Sequence, residues 1–276
     1  MQLGIFAKTF DGTSASDVLA AVAAAGYSAA QYNMACSGLP SMPDAIPAEV
    51  AAAVAAASRA CQVSIAAVSG TYNMIHPDKA VRGKGHAWLE VLASRCKLMS
   101  AGMITLCTGT RDAQDQWRWH RDNDSPGAWR DLLAAMETAI AIADRWDIDL
   151  GIEPELANVV SSPERAAALI GELRSPRLKI VIDPANLFEQ ASLEEQRRIV
   201  ASAIDLLGER IAMGHAKDRA AGGGFVAAGK GVVDFAHYFA CLKAARFNGP
   251  MITHGLSAAE APGVAKFLRD AGADVM

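Results

Sequence analysis

The chain has 276 residues and a formal net charge of −4 at pH 7. This length suits one large α/β domain, and the acidic balance argues against a nucleic-acid partner, because polyanions are bound by clustered Lys and Arg. No apolar run is long and uncharged enough to cross a membrane. The five cysteines form no C-x-x-C pair and lie in apolar segments, so we interpret them as reduced thiols of a cytoplasmic protein. We therefore expect a small-molecule substrate.

Strand and helix patterns alternate along the chain. Strands are predicted at Leu3–Phe6, Ala29–Asn33, Ser64–Gly70 and Met103–Cys107, and four more strands lead to Glu153, Asp183, His215 and His254. Helices are predicted near Ser16–Val22, at Pro47–Cys61, at Lys79–Ser100, from Ser125-Pro126 to Trp146, after Ser162-Pro163, after Ser192, at Asp234–Ala245 and at Ser257–Ala271. A long polar insertion, from Thr108 to Asn123, precedes the fourth helix.

Eight strand–helix alternations with crossovers of this length predict parallel strands, and eight such units close into a barrel. We therefore predict a single (β/α)8 TIM barrel domain that spans residues 1–276. A doubly wound open sheet is the alternative. It is disfavoured because no G-x-G-x-x-G follows the first strand, and because candidate site residues follow at least four strands instead of one switch point.

Four strand patterns in the second half of the chain end in residue types that bind metals. These residues are Glu153, Asp183, His215 and His254. Taken alone, Glu153 is explained as well by a structural role, as a surface loop carboxylate or a helix cap, as by a functional one. The carboxyl ends of barrel strands converge on one mouth, however, and carboxylates gathered there repel each other unless a cation joins them. We predict one divalent ion, and this ligand set suits Mn²⁺, Zn²⁺, Co²⁺ or Mg²⁺.

Other polar residues are expected near the same mouth. His76 follows the third strand, so it is either an ordinary loop histidine or a substrate contact and proton carrier. The polar insertion contains Trp117 and His120. Because exposed tryptophan is unfavourable, this segment either covers a pocket as a lid or contacts a neighbouring subunit of a homo-oligomer.

A charged run follows His215 and comprises Lys217, Asp218 and Arg219. One interpretation is a solvated surface run. The functional interpretation is that these side chains support the metal ligand and donate or accept hydrogen bonds with substrate hydroxyls or a carboxylate.

Several motifs together resemble those of a known family. They are Ile152-Glu153-Pro154, Ile182-Asp183-Pro184-Ala185-Asn186-Leu187-Phe188, His215-Ala216-Lys217-Asp218 and Gly229-Lys230-Gly231-Val232-Val233-Asp234-Phe235. Over nearly its whole length the chain is similar to the sugar phosphate isomerase/epimerase family, the xylose-isomerase-like TIM barrels that also include apurinic endonucleases. In ketose epimerases and inosose isomerases of this family, a Glu, an Asp, a His and a second Glu hold the metal, and the two Glu carry protons.

The resemblance implies that the four strand-end residues hold the metal and that Glu153 carries a proton. His254 departs from the family pattern, because an imidazole bound to metal through one nitrogen is a poorer base than a carboxylate with a free oxygen. A second proton carrier would then be His76, Glu155 or Lys217, or the reaction needs only one carrier. Family members with altered ligands are linked to dehydration, decarboxylation or lyase reactions.

We predict a metal-dependent isomerase or epimerase that acts on a small keto-sugar or related polyol carbonyl through a metal-bound enediolate. The alternative is a metal-dependent lyase or decarboxylase of a keto-sugar acid in carbohydrate catabolism. A DNA-repair endonuclease is disfavoured by the acidic balance, and a binding barrel without activity is disfavoured by the intact ligand types. The predicted substrate-binding residues are Glu155, Asn186, Asp218, Arg219, Trp117 and His120.

Overall fold

A computed structural model describes residues 1–273, which form one closed barrel of eight parallel strands. Each barrel strand pairs with the next one along the chain, and the eighth pairs with the first, with Pro250 opposite Gln2. The strands are Gln2–Phe6, Ala29–Tyr32, Ser64–Ser69, Met103–Leu106, Asp149–Ile152, Leu178–Ile182, Ile211–Ala216 and Pro250–Thr253. The predicted parallel TIM barrel is confirmed.

Eight α-helices within the described residues alternate with these strands. They are Ala15–Ala24, Ala48–Cys61, Lys79–Cys96, Pro126–Trp146, Pro163–Leu173, Leu193–Leu207, Phe235–Ala244 and Ala261–Asp270. Three of the predicted serine caps are present: Ser125 and Ser162 accept hydrogen bonds from backbone N–H groups of the first turn, and Ser192 forms a capping box with Glu195. Short local patterns therefore set where these helices begin.

Two helices are shorter than the sequence predicts. The third helix ends at Cys96, before Ser100, whose φ of 60° places it in the left-handed region. The eighth helix begins at Ala261 instead of Ser257. Here the Glu260 carboxylate accepts hydrogen bonds from the backbone N–H and the hydroxyl of Ser257, which closes a separate turn before the helix.

The barrel interior is a packed core and not a pore. It contains an apolar cluster composed of Ala29, Ala67, Met103, Val181, Met213 and Ile252. Space for this cluster depends on Gly4, because a Cβ added there would lie 2.4 Å from Ile252 Cδ1. A second, larger core lies between the strands and the surrounding helices. Because the interior is filled, ligands can approach only at the mouth of the barrel.

Two further expectations concern the state of the cysteines and the presence of a membrane-spanning helix. All five cysteines are free, and Cys36, Cys96 and Cys107 are buried, whereas Cys61 and Cys241 are half-buried. Three of the five thiols therefore lie in the core as expected. None of the helices in the part of the chain that the structure describes is long and apolar enough to cross a membrane.

We expect Ile252→Ala to lower the free energy of unfolding by about 2–5 kcal/mol, because it removes buried methyl groups and leaves a cavity in the barrel interior. Urea denaturation followed by circular dichroism measures this change. Leu206→Ala is the matched control, since Leu206 is 49% exposed on the sixth helix and should change stability little. Equal stabilities of the two variants would contradict the packing of the interior.

Candidate metal centre

The structure brings the four predicted metal ligands together at the barrel mouth. One potential ligand atom from each of Glu153, Asp183, His215 and His254 lies within 4.8 Å of the others. Three of these residues directly follow a strand, whereas His215 lies inside the seventh strand, which extends one residue further than predicted. Four strands far apart in sequence therefore supply one cluster.

Local hydrogen bonds hold Asp183 in position. Its Oδ1 accepts from the Ala185 N–H at 3.0 Å, which caps the short 3-10 turn Pro184–Asn186. The hydroxyl of Tyr238, on the seventh helix, donates to the Ile182 carbonyl at 2.9 Å and fixes the end of the sixth strand. Asp183 is completely buried, so its second oxygen, Oδ2, can face only the cluster.

Contacts within the cluster join its four members in pairs. His215 Nδ1 lies 3.1 Å from Glu153 Oε1, and His254 Nε2 lies 3.3 Å from Asp183 Oδ2. Asn186 donates from Nδ2 to the same Glu153 oxygen at 2.7 Å. One oxygen of Glu153 is therefore held by two neighbours.

Both cluster carboxyl groups favour the ionised form. Burial alone would raise the pKa of Asp183, but the Lys217 ammonium, His254 and His215 together lower it to about 2. Burial likewise opposes ionisation of Glu153, and His215 and Lys217 more than offset it, so the pKa of Glu153 is also lowered. Burial, with His215 and Lys217, lowers the pKa of His254, which favours a neutral imidazole able to bind a metal.

This donor set fits a divalent cation. Ligand bonds to such ions are about 2.0–2.2 Å long, so two ligand atoms on opposite sides of one ion are about 4.4 Å apart. A cluster spanning 4.8 Å needs only a small contraction to reach that geometry. Two ionised carboxylates and two imidazoles match the ligands preferred by borderline divalent metals. The residues present can therefore hold one metal ion.

Gln31, on the second strand, is a site residue that the sequence reasoning missed. Its Oε1 lies 2.8 Å from His215 Nε2, and its Nε2 donates to Thr105 Oγ1 at 3.2 Å. When the imidazole is neutral and Nε2–H donates to Gln31, the lone pair of Nδ1 faces Glu153 and the cluster. The available signal was the one amide side chain in the short strand Ala29–Tyr32, all of whose residues are buried.

Lys217 and Asn186 also reach the cluster. The Lys217 ammonium donates to Asn186 Oδ1 at 3.1 Å and lies 3.6 Å from Asp183 Oδ2. Because Asn186 in turn holds Glu153, the ammonium orients one side chain of the cluster and balances the charge of another. These contacts support a positioning role for Lys217 in place of the predicted role as proton carrier.

Glu155 borders a cavity of about 450 Å³ beside the cluster. The cavity is lined by Trp117, Trp119, Glu155, Leu156, Ala157, Glu189, Arg219 and Phe225. Burial raises the pKa of Glu155 to about 7, and the negative charge of Glu153 contributes. Three predicted substrate-binding residues, Trp117, Glu155 and Arg219, therefore lie around one space.

His76 is not brought to the cluster. Its Nε2 lies 3.1 Å from the Ala113 carbonyl oxygen, and its Nδ1 accepts from the Asp78 N–H at 3.0 Å. It lines a different cavity, with Tyr72 and Trp88 among the other lining residues. Both ring nitrogens form hydrogen bonds with backbone atoms of neighbouring loops. The structure therefore favours the interpretation of His76 as an ordinary loop histidine over that of a proton carrier.

Asp218 is buried and bonded to the backbone of the loop that follows it. Its Oδ1 accepts from the N–H groups of Arg219 and Val233, and its Oδ2 accepts from those of Gly229 and Gly231, all at 2.8–3.0 Å. A carboxylate with four backbone donors organises the loop around it. The structure therefore shows a role for Asp218 in fixing this loop, and its contact with substrate stays a prediction.

His120 has a structural contact of its own. Its Nδ1 accepts from the Asp122 N–H at 3.2 Å and caps the 3-10 turn Arg121–Asp124. It is absent from the lining of the cavity that contains Trp117 and Trp119. The two tryptophans, and not the histidine, are thus the part of the insertion that borders the mouth.

Comparison with known proteins gives a family and a set of similar structures. The family model for the xylose isomerase-like TIM barrel matches residues 19–271. The crystal structure of 3-keto-D-glucoside 4-epimerase, YcjR, from E. coli superposes with a TM-score of 0.77 at 15% sequence identity, covering 98% of this chain and 99% of that one. No match is found among curated protein sequences.

Two other structures share the fold. The IolI protein with a bound zinc atom gives a TM-score of 0.74 at 15% identity, and 98% of each chain is covered. The probable 3-DHS dehydratase AsbF from Bacillus anthracis gives 0.77 at 12% identity, with 98% of this chain and 99% of that chain covered. At these identities the likeness establishes the barrel and not the reaction.

We expect Asp183→Ala to abolish stoichiometric divalent metal in the purified protein while the barrel remains folded, because it removes an ionised ligand from the centre of the cluster. Elemental analysis after gel filtration, together with circular dichroism, measures both properties. Asp17→Ala, on the exposed surface of the first helix, is the control and should keep full metal content. Full occupancy in the Asp183 variant would contradict the proposed ligand set.

We expect Gln31→Leu to weaken metal affinity by about 10–100-fold, because the imidazole of His215 loses the acceptor that orients it. Competition with a chelator of known affinity measures this change without reference to activity. Gln31→Glu preserves an acceptor for His215 Nε2 and should restore most of the affinity. If Gln31→Leu and the unmodified protein bound metal equally well, the orienting role would be wrong.

Proposed function

This chain belongs to the xylose isomerase-like TIM barrel family, and on that premise we propose that it is a divalent-metal-dependent isomerase or epimerase of a small keto-sugar or related polyol carbonyl. The observation that supports this proposal is the cluster of two ionised carboxylates and two imidazoles at the barrel mouth. Sugar epimerases are among the proteins that share the fold. The active site of a TIM barrel lies at this end of the strands.

Glu153, Asp183, His215 and His254 would hold the ion, and Mn²⁺, Zn²⁺, Co²⁺ and Mg²⁺ all suit these ligands. When bound there, such an ion would polarise a substrate carbonyl and so make it easier to remove a proton from the neighbouring carbon. The remaining chemistry then depends on side chains that move this proton.

Glu153 is the first proton carrier in this proposal. Asn186 donates a hydrogen bond to its Oε1, so the orientation of the carboxyl group is set before the substrate enters. Glu155 is the second carrier, because it borders the adjacent cavity and its pKa of about 7 allows it to accept and release a proton near neutral pH. Epimerisation removes a proton from one face of a carbon and returns one to the other face, which two such groups can do.

A lyase or decarboxylase is the second candidate, and the position of His254 favours it. This imidazole stands where the related ketose epimerases have a second glutamate, and its Nε2 already faces Asp183 at 3.3 Å. A reaction that releases carbon dioxide or a leaving group needs only one proton carrier, since no proton has to return to the opposite face. Glu153 alone would then be sufficient.

We expect the metal-loaded enzyme, incubated with its keto-sugar in deuterated water, to incorporate deuterium at the carbon next to the carbonyl with inversion, at a rate matching turnover. A panel of keto-sugars and keto-sugar acids, followed by NMR, tests this outcome. Release of carbon dioxide or loss of water without inversion would reject the epimerase and support the second candidate.

A pair of variants tests the role of Glu155 in the same assay. Glu155→Gln should reduce exchange by about 10²–10⁴-fold because it removes an acid–base group, while metal content stays unchanged. Glu189→Gln alters another carboxyl group of the same cavity and should leave exchange within a few-fold of the unmodified enzyme. Equal effects of the two changes would assign the loss to cavity charge and not to proton transfer.

A further inference from the structure

Three exposed aromatic side chains surround the cavity beside the metal centre. Trp117 is 47% exposed, Trp119 is 55% exposed and Phe225 is 48% exposed. They are the only large aromatic side chains exposed to this degree among residues 1–273, and all three line the same cavity. Exposed aromatic surface collected at one cavity marks a binding site better than scattered exposure does.

The tryptophans lie on an ordered loop. The Asp112 carboxylate accepts from the N–H groups of Gln114 and Asp115, and Asp115 in turn accepts from the Trp117 N–H at 2.9 Å. At the far end of the insertion, Asn123 donates to the Ala157 carbonyl at 3.0 Å. These bonds hold the loop against the chain that follows the fifth strand, so the aromatic rim exists before a ligand binds.

Phe225 borders the cavity from a different segment of the chain than the two tryptophans. It lies on a two-residue antiparallel ladder with Arg219. Its ring centroid lies 3.8 Å from Lys217 Nζ and 4.3 Å from Arg219 Cζ. About half of its surface is exposed, and it lines the cavity. The cationic side chains of Lys217 and Arg219 therefore hold the Phe225 ring in place at the cavity.

Two residues that line the cavity adjoin the proposed active site. Glu155 lines it and follows Glu153 by two residues. Arg219 also lines it, and its Nε donates at 2.6 Å to the carbonyl of Ala185, two residues after Asp183. None of the four metal ligands lines this cavity. Glu155 therefore stands at the border between the cluster and the cavity. A substrate whose reacting carbon contacts Glu155 would extend past it into the cavity with the group attached to its reacting sugar.

The charges of the cavity disfavour a phosphate or other anion there. Its ionisable groups are the carboxyl groups of Glu155 and Glu189 and the guanidinium of Arg219. Arg219 already donates through Nε to Ala185 and through Nη1 to the Gly223 carbonyl. An anion needs several uncommitted donors or cations, and here it would meet two carboxyl groups instead. A neutral ring with a flat apolar face matches the three aromatic side chains better.

We propose that this cavity is a subsite for a neutral ring attached to the reacting sugar. The substrate is then a keto-glycoside, either with a second sugar ring or with an aromatic aglycone, and is neither a free nor a phosphorylated ketose. This inference rests on the proposed function for the position of the reacting carbonyl. The recognition of the outer ring rests on the cavity alone.

Binding of unreactive probes tests the subsite separately from catalysis. Tryptophan fluorescence of the metal-loaded protein is titrated with glucose, cellobiose, phenyl β-glucoside and glucose 6-phosphate. We expect cellobiose or phenyl β-glucoside to bind at least about 10-fold more tightly than glucose, the size of effect given by stacking on one or two aromatic rings. Tighter binding of cellobiose would identify the outer ring as a sugar, and tighter binding of phenyl β-glucoside would identify it as an aromatic group.

Tryptophan variants test whether the preference for the glycoside probes comes from the cavity. Trp117→Ala and Trp119→Ala should each remove most of the preference for the glycoside probe. Trp129→Phe is the control, because Trp129 lies on the fourth helix with its Nε1 bonded to Glu172, and it should keep the preference. Equal binding of glucose and both glycosides, or tighter binding of glucose 6-phosphate, would overturn the subsite.

Turnover separates this inference from the function on which it rests. Epimerisation of a keto-glycoside with higher kcat/KM than the free keto-sugar would support both. Preferential binding of the glycoside probes without any turnover of keto-sugars would retain the subsite and reject the proposed function. Turnover of free keto-sugars without preferential glycoside binding would retain the function and reject the subsite.

Discussion

Two ionised carboxylates, Glu153 and Asp183, lie within a few ångströms of each other in a buried pocket at the barrel mouth, and the structure around them balances their charge. Buried charges are unfavourable unless each is paired and hydrogen-bonded. The Lys217 ammonium and two imidazoles meet part of this requirement. A divalent cation would meet the rest, which supports the proposal that the cluster holds a metal ion.

The contacts that compensate the charges of Glu153 and Asp183 continue away from the cluster, from one side chain to the next. Lys217 holds Asn186, which holds Glu153, while its ammonium also lies over the ring of Phe225. Asp218, the next residue, gathers four backbone N–H groups and fixes the loop that follows. The same short segment therefore supports the metal centre, shapes the loop beside it and places an aromatic wall at the mouth. The proposed catalytic and binding features therefore share this segment.

Several site residues were recognisable from the sequence because their positions follow from local patterns. A polar residue at the end of an apolar strand predicts a mouth position in any parallel barrel, and this places Glu153, Asp183 and His254. His76 lies in the loop after the third strand and was expected at the same mouth, yet its ring nitrogens form hydrogen bonds with loop backbone instead. Position along a strand thus predicts the end of the barrel, but it does not predict the direction in which a loop side chain points.

The sequence by itself determined the alternation of eight strands and helices, the serine caps and the residue types available at the strand ends. These features depend on interactions within a few residues, which periodicity and capping patterns record. Only the tertiary structure decided which side chains meet. Gln31 contacts His215 across 184 residues of sequence, and Trp117 reaches the cavity of Arg219 from a different loop. Such contacts arise when the barrel closes and distant strands become neighbours, so no local pattern contains them.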